Sequence, residues 1–416
     1  MSVKRHAALG FIMVTVTLDM LAFGIAMPPM PKLISDFLGG NTARASEYLG
    51  FFVTTFAAMQ FLFSPLIGLA SDRYGRRPLI LLSNFGLAFD YAILALAPSL
   101  NWLFLGRALA GVTTSSIPTA TAFISDVTPP DRRSKAFGLM GAAFGLGFVL
   151  GPALGGWLSM HNPRFPFWVG AGASLLNAMY GLFVLPESLP VERRQPSIRW
   201  GNANPLGALR LLRSHTELLG LAMVEFLGYI AHEVYLTVWV LYAMYRFGWD
   251  QRMVGLSLAV VGICSIITSG GLVGPVVKRL GDRRALLTGL FFGALGFAMY
   301  GWAAASWMFL LAIPVNSLWS LARPTSQALM TQRVSPSEQG ELQGALASLR
   351  GMGMVIGPSL FSLTFAYFIA PEHSFPGAPW YLATALVVAS LAIAWRVAVA
   401  RPSVPAPIKE ALAEAD

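Results

Sequence analysis

Long apolar runs separated by short polar loops dominate this chain. Residues 48–71, 136–160, 165–186 and 253–277 contain no charged side chain. Residues 7–28 contain only Asp19, and residues 78–106 only Asp90. Residues 285–331 carry the single charge Arg323 and are long enough for two crossings. A bilayer crossing needs about 20 mostly apolar residues. With 108–125, 216–245, 342–370 and 378–395, the pattern predicts an all-α membrane protein with twelve transmembrane helices. The first run is too long for a secretory leader and lacks a cleavage site after it, so it reads as a helix.

The pattern repeats. Gly68-Leu-Ala-Ser-Asp72-Arg73-Tyr-Gly75-Arg76-Arg77 follows the second helix, and Gly274-Pro-Val-Val-Lys278-Arg279-Leu-Gly281-Asp282-Arg283 follows the eighth. Gly145-x-Gly147-x-x-x-Gly151-Pro152 of the fifth helix returns as Gly351-x-Gly353-x-x-x-Gly357-Pro358 of the eleventh. Pro130 and Pro336, and the intramembrane acids Asp19 and Glu225, share the same offset of 206 positions. The expected architecture is therefore two six-helix repeats, residues 1–186 and 216–400. An Arg- and Pro-rich linker at 187–215 joins them, with a short interfacial amphipathic helix at 206–213. Residues 401–416 read as a loose tail.

Composition agrees with this reading. Of 416 residues, 55% are hydrophobic and 12% charged, about half the charge of a soluble domain. The mean hydropathy is +0.61. The net charge of +9 is topological rather than a nucleic-acid footprint. Lys32, Arg44, Arg164, Arg246 and Arg252 are the only basic residues in the loops of one side, against a large excess on the other. The positive-inside rule then puts both termini in the cytoplasm. One cysteine, Cys264, excludes a disulfide framework or a cysteine metal cluster. His6, His161, His215, His232 and His373 do not cluster at ligand spacing, and no phosphate loop, nucleophile elbow or HExxH motif occurs. No enzyme, metal or cofactor is expected.

Candidate chemistry lies in the intramembrane charges, each of which costs several kcal/mol unless it is paired or solvated. The proton-coupling candidates are Asp19, Asp90, Glu225, Glu233 and His232. An acid whose partner changes with conformation can load and release a proton. Glu225, Tyr229 and His232 share one helical face, with Glu233 adjoining. In the fourth helix Arg107 is followed by the polar stripe Thr114, Ser115, Thr121 and Ser125 around Pro118. In the tenth, Asn316, Arg323, Thr325 and Gln327 surround Pro314 and Pro324. The substrate-binding candidates are Arg107, Thr114, Tyr229, Asn316, Arg323 and Gln327. The gating candidates are Gly68, Asp72, Arg73, Gly75, Arg76, Asp126, Gly151 and Pro152. Among them Asp126 is the acid expected to pair with the loop arginines, and Gly147, Gly151 and Gly155 are expected to form a tight interface between the halves.

Gly68-x-x-x-Asp72-Arg73-x-Gly75-Arg76-Arg77, Arg107, and Gly151-Pro152-x-x-Gly155-Gly156 resemble signature motifs of the major facilitator superfamily, the last of its drug-proton antiporters. Leu18-Asp19, Asp90-Tyr91, Trp239-Val-Leu, Arg246-Phe-Gly-Trp249, Gln339-Gly-x-Leu-Gln-Gly344 and Ile356-Gly-Pro-x-Leu-Phe361 resemble its tetracycline-proton antiporter group. The resemblance implies the major facilitator fold and an inward proton driving a drug outward. Asp19, Asp72, Asp90 and Arg107 would then stand at positions tied to coupling or gating. Two features depart from the group: the ninth-helix stretch Leu290-Phe-Phe-Gly-Ala294 is apolar where an acid is expected, and Thr113-Thr-Ser-Ser-Ile-Pro-Thr119 replaces a glycine-rich stretch.

The function expected is proton-coupled export of a small amphipathic, drug-like molecule by alternating access. Its partners are substrate, protons and the bilayer of the inner membrane, with the chain a monomer. Proton-coupled uptake or export of a metabolite is the rival reading. A non-transporting receptor is more remote, since the chain has no soluble module.

Overall fold

The computed structural model describes residues 2–114, 116–129, 132–197, 204–335 and 338–397. Ser115, Pro130, Pro336 and the expected tail at 401–416 lie outside the described residues. So do the side chains of residues 2–8, 116–117, 134–135, 213–214 and 216–217. Every regular element among the described residues is helical.

The first six crossings use α1 (Ser2–Ala26), α2 (Pro29–Phe37), α3 (Thr42–Tyr74), α4 (Arg76–Leu96), α5 (Leu100–Thr113), α6 (Ser116–Val127), α7 (Arg133–Ser159) and α8 (Phe165–Phe183). After the linker come α9 (Arg210–Ser214), α10 (Thr216–His232), α11 (Val234–Thr237), α12 (Trp239–Phe247), α13 (Gln251–Ile267) and α14 (Val273–Trp302). The chain ends in α15 (Ser306–Ser317), α16 (Ala322–Thr331), α17 (Gln339–Phe368) and α18 (Ala378–Val397). Eight uninterrupted stretches are long and apolar enough to cross a membrane, and one of them, Gln251–Trp302, holds two crossings. The pairs α5–α6 and α15–α16, together with α8, complete the twelve.

The broken crossings have local causes. Pro118 offers no amide to the Thr114 carbonyl, and the Gln60 side chain donates to that oxygen instead at 3.2 Å. Pro324 similarly frees the Ser320 carbonyl, and the chain tightens there into the 3-10 turn Leu318–Leu321. The seventh crossing breaks at Glu233, whose carbonyl accepts the Thr237 hydroxyl at 2.9 Å. A π-helical turn, Thr268–Leu272, interrupts the eighth at Gly270 and Gly271.

Packing follows the repeat. Within the first bundle α1 lies against α7 and α8, and α4 against α8. Within the second, α10 lies against α17 and α18, and α14 against α18. The bundles meet along two long seams, α7 on α13 and α3 on α17. The 206-residue offset exchanges these seams, as a two-fold axis between parallel repeats requires. The turn glycines obey it too: Gly75 has φ +106° and Gly281 φ +74°, both in the left-handed region that favours glycine.

Two expectations change here. Gly147, Gly151 and Gly155 close-pack against Met20, Gly24 and Ile25 of α1, within one bundle rather than between the two. The opposite face of α7 makes the seam, where Gly156 meets Gly255 of α13. The segment at 206–213, expected as one short helix, is divided. It forms a 3-10 turn, Gly207–Leu209, then α9, and buries Leu211 and Leu212 beside α17.

Candidate functional site

The two seams close at one end and part at the other. At the end remote from the α3–α4 loop, the Ser46 hydroxyl donates to the Ser362 carbonyl at 2.9 Å, and the Thr54 and Ser359 hydroxyls lie 2.8 Å apart. A Cβ on Gly50 would come within 2.6 Å of the Ser362 Cβ. At the loop end, Gly68, Gly138, Gly141, Gly270, Gly271 and Gly274 have no such neighbour within 4 Å. Between the bundles lies a cavity of about 1230 Å³ that extends toward this parted end. Its mouth is edged by Asn204, Pro205 and Ala208 of the linker and by Gly344 and Ser348 of α17.

Asp19, Arg107, Thr114, Glu225, Tyr229, His232, Glu233, Asn316 and Arg323 line this cavity; Asp90 and Gln327 do not. Asp19 is buried on α1, and the Asn177 amide of α8 donates to its Oδ1 at 2.8 Å and to the Thr15 carbonyl at 3.0 Å. Across the cavity, Glu225 lies beside Tyr229, Ser326 and Arg323. The Arg323 guanidinium sits 5.3 Å over the Tyr229 ring. His232 opens onto the cavity between Tyr235 and Trp319, with ring centroids at 5.4 and 6.1 Å. Asn316 donates to the Gly293 carbonyl at 3.2 Å and accepts the Tyr235 hydroxyl.

Asp90 and Arg107, candidates for different roles, form a single ion pair between α4 and α5. Asp90 is fully buried, and Arg107 also lies 5.6 Å from the centre of the Phe56 ring. A carboxylate so held has its charge compensated inside the first bundle.

The gating candidates gather at the α3–α4 loop. Arg76 pairs with Asp72 at 2.5 Å and Asp126 at 3.2 Å, and donates to the Ser71 hydroxyl at 3.1 Å. Asp126 also accepts the Ser188 hydroxyl at 3.1 Å. All these groups belong to the first bundle and its exit, so the cluster ties α3, α4 and α6 together. Arg73 points outward over the Tyr74 ring. Gly151 and Pro152 stand apart from this cluster, against α1.

Three residues that the structure brings to these clusters were not among the candidates. Glu187 accepts the Arg76 and Arg77 amides at 2.8 and 3.3 Å, capping α4, and faces Arg194 at 3.7 Å. Asn177 is a lone amide in an apolar run, a signal available from the sequence. Arg350 lines the cavity from α17, and its intramembrane charge was equally visible.

The Major Facilitator Superfamily family model matches residues 12–358 and 221–415. The chain is 36% identical to the class C tetracycline resistance protein of Escherichia coli, covering 93% of this chain and 96% of that protein. It is 34% identical to the class E protein of the same organism, over 92% and 93%. Similarity extends to human hippocampus abundant transcript-like protein 1, at 28% identity over 87% of this chain and 71% of that one. Among solved structures, the nucleoside transporter NupG superposes with a TM-score of 0.74 at 13% identity, covering 94% of this chain and 98% of that one. The D-xylose-proton symporter gives 0.73 at 16%, covering 93% and 97%. These structural likenesses concern the fold alone.

Proposed function

The chain belongs to the Major Facilitator Superfamily, and from that premise we propose that it exports a tetracycline-like amphipathic molecule in exchange for protons. The observation that carries this reading is one cavity reached by Asp19 and Glu225 from repeat-equivalent positions in opposite bundles. The names of its tetracycline resistance relatives support the drug class.

The basic, parted end faces the cytoplasm, by the positive-inside rule, and so do both termini. A monomer in the inner membrane collects drug from the inner side. The halves 1–186 and 216–400 then rock about the linker 187–215, opening the seams at Gly50 and Gly156 and closing those at Gly68 and Gly274. Asp19 takes a proton from the outer side and releases the drug; return to the inward-open form releases the proton. One charge moving through 100 mV supplies about 2.3 kcal/mol, enough for a drug gradient of roughly fiftyfold. Asp90, held by Arg107, serves as a structural charge of α4. Asp72, Arg76 and Asp126 keep the α3–α4 loop rigid while the bundles move.

Proteoliposomes with an imposed pH gradient and an internal pH dye test the proposal. Tetracycline-dependent proton movement is expected. Silence with tetracycline and a panel of cationic and zwitterionic drugs would leave the family standing and turn the reading to a metabolite carrier.

A further inference from the structure

The cavity has three guanidinium groups on its walls, and they are not equivalent. Arg107 is committed to the buried Asp90. Arg323 and Arg350 have no ion pair within 4 Å among the described residues, although both side chains are open to the cavity. Arg323 lies over the face of Tyr229 and within electrostatic reach of Glu225. Arg350 lies within electrostatic reach of Arg323, Tyr229 and Glu233. The packing of α17 on α10 explains why these groups converge. Gly353 lets α17 approach the Tyr229 Cβ, and Gly357 lets it approach the Glu233 Cβ, which sets Arg350 one turn away, beside the same face. Glu225 and Glu233 line the same cavity but are largely buried, whereas the side chains of Arg323 and Arg350 are exposed to the lumen. Two like charges held near each other in a membrane-embedded cavity repel, and that repulsion is relieved when an anion binds between them. Guanidinium groups are also the side chains best matched to planar oxyanions.

We propose that Arg323 and Arg350 form an anion subsite, so that the exported molecule is an aromatic amphiphile whose oxyanion docks on α16 and α17. Phe56, Tyr229, Tyr235 and Trp319 supply the surface for its rings. Asp19, on the opposite wall, is left to the proton or to a cationic end of the same molecule. A zwitterion would then lie across the cavity with its negative end toward the second bundle. This inference rests on the export reading, because it assigns the orientation of that cargo.

The test uses the full chain in lipid nanodiscs and two xanthene dyes of similar shape, anionic fluorescein and cationic rhodamine 6G, followed by fluorescence anisotropy. Fluorescein is expected to bind and to lose about tenfold or more in affinity in Arg323→Gln and in Arg350→Gln, the scale of one lost charged hydrogen bond. Arg323→Lys should recover part of that loss, and rhodamine 6G binding should not weaken in either glutamine variant, which also reports that the variants are folded. Fluorescein affinity unchanged in both variants, or equal losses for both dyes, would overturn the subsite. Arginine-dependent fluorescein binding without tetracycline-driven proton movement would retain the subsite and overturn tetracycline export. Drug-driven proton movement with arginine-independent fluorescein binding would do the reverse.

Discussion

Asp90 of α4 and Arg107 of α5 form a buried ion pair inside the first bundle. Removing one member strands the other charge. Asp90→Asn is expected to destabilise the protein by about 3–5 kcal/mol, and adding Arg107→Gln should recover much of the loss. Thermal unfolding of both single variants and the double variant measures this coupling. Additive losses would mean that the two residues do not act as a pair.

Asp19 keeps its neighbours if only its charge is removed, since asparagine has nearly the same shape beside Asn177. Asp19→Asn mimics the protonated carboxyl, so it should bind drug more weakly than the parent and show no drug-dependent proton movement. Parental proton flux in this variant would move the coupling role to Glu225 or Glu233.

Glu187 caps α4 through the Arg76 and Arg77 amides, just after Gly75 turns the chain with φ +106°. Glu187→Ala should cost roughly 0.5–2 kcal/mol, as loss of a helix N-cap does, and should speed amide exchange at residues 76–80. Arg76→Ala should lower turnover while leaving drug affinity unchanged, because it unties Asp72 and Asp126 far from the cavity. A drop in affinity equal to the drop in turnover would contradict that separation.

A Cβ on Gly50 would run into the Ser362 Cβ across a seam, whereas one on Gly68 would meet nothing within 4 Å. Gly50→Val should therefore wedge the closed end open, read as a longer spin-label distance between α3 and α17 there. Gly68→Val should leave that distance alone and slow turnover, by obstructing closure of the parted end. Equal distances in both variants would show that the seam at Gly50 does not hold the inward-open form.

The number of crossings and the two-fold repeat were legible because they depend on local properties. A charge costs too much in hydrocarbon to be placed at random, and a duplicated pattern keeps its register. The candidates on α10 were legible for the same reason: Glu225 and Tyr229 lie one turn apart on a single helix. Glu187 as the cap of α4 was not, because its carboxylate and the Arg76 amide it accepts stand 111 positions apart in sequence.

Twelve apolar helices that cross a bilayer in two related halves, with acids and arginines inside, follow from the order of residues along the chain. Tertiary structure decided which charges cancel and which face the lumen. Asp90 met Arg107 because α4 packs on α5, and the glycines of α7 met α1 rather than the other bundle. Arg323 and Arg350 came together because Gly353 and Gly357 let α17 approach α10. Pairing in a low-dielectric interior depends on separations of a few ångströms, and those are set by helix packing rather than by any pattern along one helix.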